Sequence, residues 1–129
     1  MSKSRTTVLL TGFGPFPAQP VNVTMKLVPQ VTAEAQRLFP DIRFKAAILP
    51  TEWISAPRVL GELIDAHDPD VAVHFGISSR ARGFEIEARG RNVCGDTEDA
   101  SGCKPAAALI NDVGPEHLAT NLPDRKSVV

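Results

Sequence analysis

Two short runs, "TTVLLTG" (Thr6–Gly12) and "DVAVHFG" (Asp70–Gly76), constrain the fold of this chain more than any other feature. Each is apolar and rich in β-branched residues, and each stops at a glycine, which reads as a buried strand ending in a turn. "IRFKAAIL" (Ile42–Leu49) has the same character. The intervals between them are helical in period. Met25, Leu27, Val28, Val31, Ala35 and Leu38 share one face of a helix capped by Asn22 or Thr24, and Thr51–His67 forms a second helix with Thr51 as its cap. Pro29 is expected to kink the first helix or split it, and Pro57 is a flaw in the early turns of the second.

Strand, helix, strand, helix, strand is the order of an α/β fold: a layered, mostly parallel sheet flanked by helices. A fourth strand is expected over Gly83–Val93, where Phe84, Ile86 and Ala88 alternate with Glu85, Glu87 and Arg89. Beyond Gly102 the pattern is weak, with one short helix expected around Pro105–Ile110. In such sheets ligands gather beyond the carboxyl ends of the strands. Gly12–Phe16 and Gly76–Arg82 both lie at such ends and are expected to be neighbours.

Composition narrows the partners. A net charge of −1 over 129 residues offers no basic surface for nucleic acid or an anionic membrane. No apolar run approaches the ~20 residues a bilayer requires, and "MSKSRTT" lacks the apolar core of a signal peptide, so a cytoplasmic location is expected. Cys94 and Cys103 are expected to be free thiols in such a compartment. The chain shows no metal-ligand spacing, and no metal or other cofactor is expected.

The turn "GFGPFP" (Gly12–Pro17) invites a comparison with dinucleotide-binding loops. That chemistry needs G-x-G-x-x-G, so that backbone amides face a pyrophosphate. Pro17 stands where the third glycine belongs, and neither Pro15 nor Pro17 has an amide proton. Phe13 and Phe16 could serve simply as core. They flank a Gly-Pro turn at a strand's carboxyl end, however, and two aromatic faces with little nearby charge suit a flat, neutral, amide-bearing ligand.

"VLLTGFGPFP" followed by Asn22 resembles the opening of the pyroglutamyl peptidase I family of cysteine peptidases, which reads TGF-x-PFGG before an Asn-Pro-Ser. Phe13, Pro15, Phe16 and Asn22 fall in register, while Pro17, Ala18, Val23 and Thr24 depart from the family's residues. "PDVAVHFGISSRARGFEIEARGRN" is similar to the family's block running from a PD-x3-H-x-G strand to a Glu-Arg-x-Ala-x-Asn strand. "GPEHLATNLP" (Gly114–Pro123) resembles a third block. Together they cover nearly all of this chain but about three-fifths of a family member.

The resemblance implies release of an N-terminal pyroglutamyl residue from a peptide by a Cys-His-Glu triad. Phe13 and Phe16 correspond to the aromatics packed around the lactam ring. Glu87 corresponds to the carboxylate that holds the histidine in its working tautomer; read without the family it is a solvated acid on a strand face. A glutamine often present in the family is Ile77 here, and the arginine after the triad acid is Ala88. Family members are often homo-oligomers.

The family's cysteine and histidine lie further along than Val129. Cys94, Cys103, His67, His74 and His117 do not occupy their positions, so these 129 residues are expected to be inactive as written. Residues 1–123 are expected to form one α/β domain lacking its C-terminal part. Asp124–Val129, "DRKSVV", matches the translation of a common sequencing adapter and is expected to be non-native. A genuine stop there would leave a binding module for a small amide-bearing ligand, without chemistry. An incomplete sheet exposes an edge and an apolar face, so poor solubility or partial unfolding is expected.

Overall fold

The structure, a computed structural model, describes residues 5–121; the expectation for Asp124–Val129 lies outside them. The span read as one domain is described as two compact units. The first runs to Ile77 and takes in Glu98–Lys104; the second comprises Ser78–Thr97 and the described residues from Pro105 onward.

The first unit is built on a three-stranded parallel sheet in the order β2-β1-β3, formed by β1 (Thr7–Phe13), β2 (Arg43–Leu49) and β3 (Val71–His74). β1 is central and pairs along its whole length with β2, from Thr7 opposite Arg43 to Phe13 opposite Leu49. Its continuous apolar run is explained by that position, since a central parallel strand is covered on both faces. Leu9, Leu10, Thr7 and Thr11 are all buried. The α/β class with a parallel sheet is as the sequence implied.

Helix α1 (Thr24–Leu38) packs directly on β1. A side chain at Gly12 would put its Cβ 2.9 Å from Val28 Cγ2 and 3.0 Å from the Thr24 carbonyl oxygen. The glycine therefore sets how closely the helix approaches. Pro29 neither splits nor ends this helix, which runs unbroken over 15 residues. Pro29 and Met25, whose carbonyl loses its partner, both lie on the exposed side, where water can take up the freed oxygen. Neither Asn22 nor Thr24 holds the cap position, which falls to Val23 with no side-chain cap bond; Asn22, one residue earlier, accepts the amide of Thr24, the first helical residue, on its Oδ1.

Helix α2 (Ser55–His67) begins four residues later than expected. Thr51 is not its cap. Pro57 thereby becomes the third residue of the helix, where an amide has no intrahelical acceptor and its absence costs little. His67 closes the helix, a favourable place for a cation.

The second unit contains a short antiparallel pair, β4 (Arg89–Arg91) and β5 (His117–Ala119). The strand expected over Gly83–Val93 shrinks to these three residues. Phe84 and Ile86 are strongly exposed, so among the described residues their face of the alternation is left uncovered. Beyond the ladder the partner segment adds one backbone bond at each end, Thr120 N–H to the Ala88 carbonyl and Asn92 N–H to the Glu116 carbonyl. Asn92 then clasps Asn111 through both amide atoms, at 2.6 and 2.8 Å. The helix expected around Pro105–Ile110 is irregular chain instead. Six residues cannot offset helix nucleation unaided, and the Ala108 carbonyl is already engaged by Cys94 N–H.

Candidate active site

The strand order places a topological switch at β1 and β3. From β1 the chain crosses to β2 on one side, and from β2 it crosses back to β3 on the other. In sheets of this order, right-handed crossovers place successive helices on opposite faces, and ligands bind beyond the carboxyl ends of the two strands at the switch. The turn Gly12–Phe16 leaves β1 at that end. Beside it the chain leaves β3 towards Gly76, with Phe75 N–H bonded to the Thr11 carbonyl. Up to Ile77, then, the two segments expected to be neighbours leave adjacent strands; Ser78–Arg82 belong to the second unit.

The turn is held from within. Phe13 N–H donates to Thr24 Oγ1 at 2.8 Å. The one proton of that hydroxyl is best placed on Asn22 Oδ1, at 2.7 Å, with the Phe13 carbonyl a longer alternative at 3.2 Å. Gly14 N–H bonds the Leu49 carbonyl, and Phe16 and Gln19 exchange two backbone bonds around Pro17-Ala18. The Gly14 carbonyl accepts from Asn22 Nδ2 at 3.2 Å and from Thr51 Oγ1 at 2.7 Å. Asn22 and Thr24 are buried polar residues that spend their hydrogen bonds on this turn.

These bonds restrict the ligand chemistry. Between Phe13 and Pro17 every backbone amide is either engaged inside the protein or absent because the residue is proline. No donor is left to cradle a phosphate. The turn carries two half-buried aromatic residues, Phe13 and Phe16, side chains of the kind on which a flat ring packs. The structure brings these two residues into one turn. Glu87 lies in the second unit, exposed, two residues ahead of β4 rather than within a strand.

Further polar residues near the strand ends were not singled out by their sequence. Thr51 looked like a helix cap and instead holds Gly14. Asp99 is buried and gathers four hydrogen bonds: Oδ1 accepts Ser101 N–H, Ser101 Oγ and Cys103 N–H, and Oδ2 accepts Trp53 N–H at 2.9 Å. The Ser101 hydroxyl, reinforced by these amides, holds its carboxyl down to about 2. The signal for it was there in "DASG", an acid followed by serine and then a glycine in left-handed conformation. His74 ends β3 as a strand residue, its Nδ1 2.6 Å from the buried Thr11 hydroxyl. Burial pushes its pKa down and favours the neutral ring. Cys94 is half-buried and Cys103 exposed, and both are free thiols.

Comparison with known proteins decides the family. The family model for pyroglutamyl peptidase matches residues 6–129. This chain belongs to the pyroglutamyl peptidase family. Among relatives in that family, it is 32% identical over 123 residues to the pyrrolidone-carboxylate peptidase of Pseudomonas fluorescens, covering 94% of this chain and 56% of the relative. It is 28% identical over 118 residues to rat pyroglutamyl-peptidase 1, covering 92% and 56%. The crystal structure of Bacillus amyloliquefaciens pyroglutamyl peptidase I superposes with a TM-score of 0.80 at 27% identity, over 92% of this chain and 57% of that one. A mutant pyrrolidone carboxyl peptidase from Pyrococcus furiosus gives 0.80 at 26% identity, over 92% and 56%. The chain thus spans a little over half the length of the family members it matches. Among the described residues no helix is long and apolar enough to cross a membrane.

Proposed function

We propose that this chain carries the ring-binding portion of a cytoplasmic thiol peptidase that removes pyroglutamate from the N-terminus of peptides. The observation that supports the reading is the Phe13–Phe16 turn at the β1/β3 switch point, with its amides used internally and its aromatic faces half-open. A pyrrolidone ring is flat and uncharged. It gains from apolar burial and needs only a few polar partners. In the family's chemistry a thiolate attacks the carbonyl that follows the ring, an imidazole moves the proton, and a carboxylate fixes the imidazole's tautomer. Glu87 is proposed for the last role. The attacking thiol and the imidazole have no counterpart among these 129 residues, so the chain by itself is expected to bind without cleaving. A homo-oligomer is proposed for the full-length form.

The test is to extend this chain at Pro123 with the corresponding C-terminal portion of the Bacillus amyloliquefaciens enzyme and assay a pyroglutamyl anilide. Cleavage is expected, with kcat/KM reduced by about a hundredfold or more in Glu87→Gln, the scale on which positioned acid–base groups act. A fully active Glu87→Gln protein would remove Glu87 from the mechanism. The same reading keeps residues 1–123 as one family domain and Asp124–Val129 as non-native, although the family match runs on through Val129. Resequencing the coding DNA across the Pro123 codon checks it: a continuing frame is expected, and a stop after Val129 would contradict it.

A further inference from the structure

We propose that Asp99 is a positioning residue for the aromatic turn, acting through Thr51 on the Gly14 carbonyl. Its relevance to substrate rests on the ring-binding reading above; its physical content does not. Thr51 lies between β2 and α2, in neither a ladder nor a helix, yet its hydroxyl supplies the shorter of the two side-chain bonds that fix Gly14 O. Something must hold that loop still. The Thr51 carbonyl accepts Ala100 N–H at 2.9 Å, and two residues on, Trp53 N–H donates to Asp99 Oδ2 at 2.9 Å. Adjacent residues Asp99 and Ala100 therefore grip both ends of Thr51–Trp53.

Among the described residues, Glu98–Lys104 is the one stretch beyond Ile77 that belongs to the first unit; its flanks on both sides belong to the second. The carboxylate serves two segments of that first unit. Oδ1 organises its own turn through Ser101 and Cys103, while Oδ2 reaches out to Trp53. All four of its partners are donors. A group with two acceptor oxygens is thus required, and asparagine, with one oxygen and one NH2, cannot serve both sides.

That asymmetry supplies the test. Amide hydrogen exchange is measured by NMR on the full 129-residue chain and its Asp99→Asn variant, without ligand. The expected result is that the single amide oxygen of the variant side chain stays on Ser101 and Cys103, so the Cys103 amide stays protected. The Trp53 and Ala100 amides, and with them Gly14, Phe16 and Gln19, should exchange about tenfold faster or more, as for one lost hydrogen bond to a charged group. Leu9 and Leu10 amides in β1 should be unchanged, which separates positioning from general destabilisation. The proposal is overturned if Trp53 is released and the Gly14–Gln19 amides keep their protection. Should Asp99→Asn unfold the chain, Thr51→Val decides: it removes only the hydroxyl, and must free Gly14–Gln19 while Trp53 and Ala100 remain protected. Unchanged exchange at Gly14–Gln19 in that variant would sink the idea. Because no ligand enters, this outcome is independent of whether the turn binds pyroglutamate.

Discussion

Gly12 has no room for a Cβ, because Val28 and Thr24 of α1 already stand at 2.9 and 3.0 Å from where it would sit. Gly12→Ala should therefore force the helix off the strand and destabilise the chain by about 1–3 kcal/mol. A urea melt would show this as a lower midpoint with an unchanged slope. Two ionisable side chains give the acid limb of stability its form. The lowered pKa of His74 means that the unfolded chain takes up a proton first, so stability falls as pH drops below the ordinary 6.5. Asp99 contributes stability above its ordinary 3.8, and that contribution is lost as pH falls from there through about 2. Trp53, the only tryptophan, reports on the second step. Its fluorescence should change between pH 3.8 and about 2 in the wild type and lose that transition in Asp99→Asn. At this scale the placement of Phe13 and Phe16 around the turn after β1 was legible, because a strand followed by Gly-Pro leaves few other places for them. The bonds from Thr51 to Gly14 and from Trp53 to Asp99 were not, because each joins a side chain to a backbone group far away in sequence; only the local turn of Asp99 showed, in "DASG".

At the scale of elements, Pro29 shows how position overrides propensity. It sits within α1 on the exposed side, so the lost hydrogen bond falls on a solvated carbonyl rather than a buried one. The helix persists but carries the cost. Pro29→Ala should raise stability by roughly 1–3 kcal/mol, the range set by proline's helix penalty, measured in the same urea melt. The three parallel strands were legible because each is a short apolar, β-branched run ending in a turn and all three pair in one ladder; burial explains the run of β1 alone, since β2 has one buried residue and β3 none. The Gly83–Val93 alternation misled for the opposite reason. Period-2 patterning makes a strand only where a partner ladder and a covering layer exist, and here the partner is the three residues of β5.

For the whole molecule the apolar balance is thin. The large apolar side chains buried among the described residues are Leu9, Leu10, Val28 and Leu49, whereas Ile54, Phe84, Val113 and Leu118 are each more than two-thirds exposed. No residue of α2 is buried. The chain spans a little over half of its relatives' length, and surface of this kind is what a further layer or a partner covers in other proteins. Alone, it should bind a dye such as ANS on that surface and melt at a lower temperature than the same chain extended by the C-terminal portion of the Bacillus amyloliquefaciens enzyme, which should bind less dye. A dye-free melt of the 129-residue chain at the extended chain's temperature would contradict this. The fold class was readable because it depends on order and period. The role proposed for Glu87 was not, since Glu87 lies exposed ahead of β4 rather than on a strand face.

The most direct test of ring binding is an NMR titration of the 129-residue chain with L-pyroglutamyl amide, using L-prolinamide as a control of the same ring size without the lactam carbonyl. The expected result is saturable shifts at Gly14, Phe16 and Gln19 with pyroglutamyl amide, weak shifts with prolinamide, and loss of the difference in Phe13→Ala. No shift at the turn, or equal shifts from both ligands, would contradict a pyroglutamate pocket at Phe13 and Phe16.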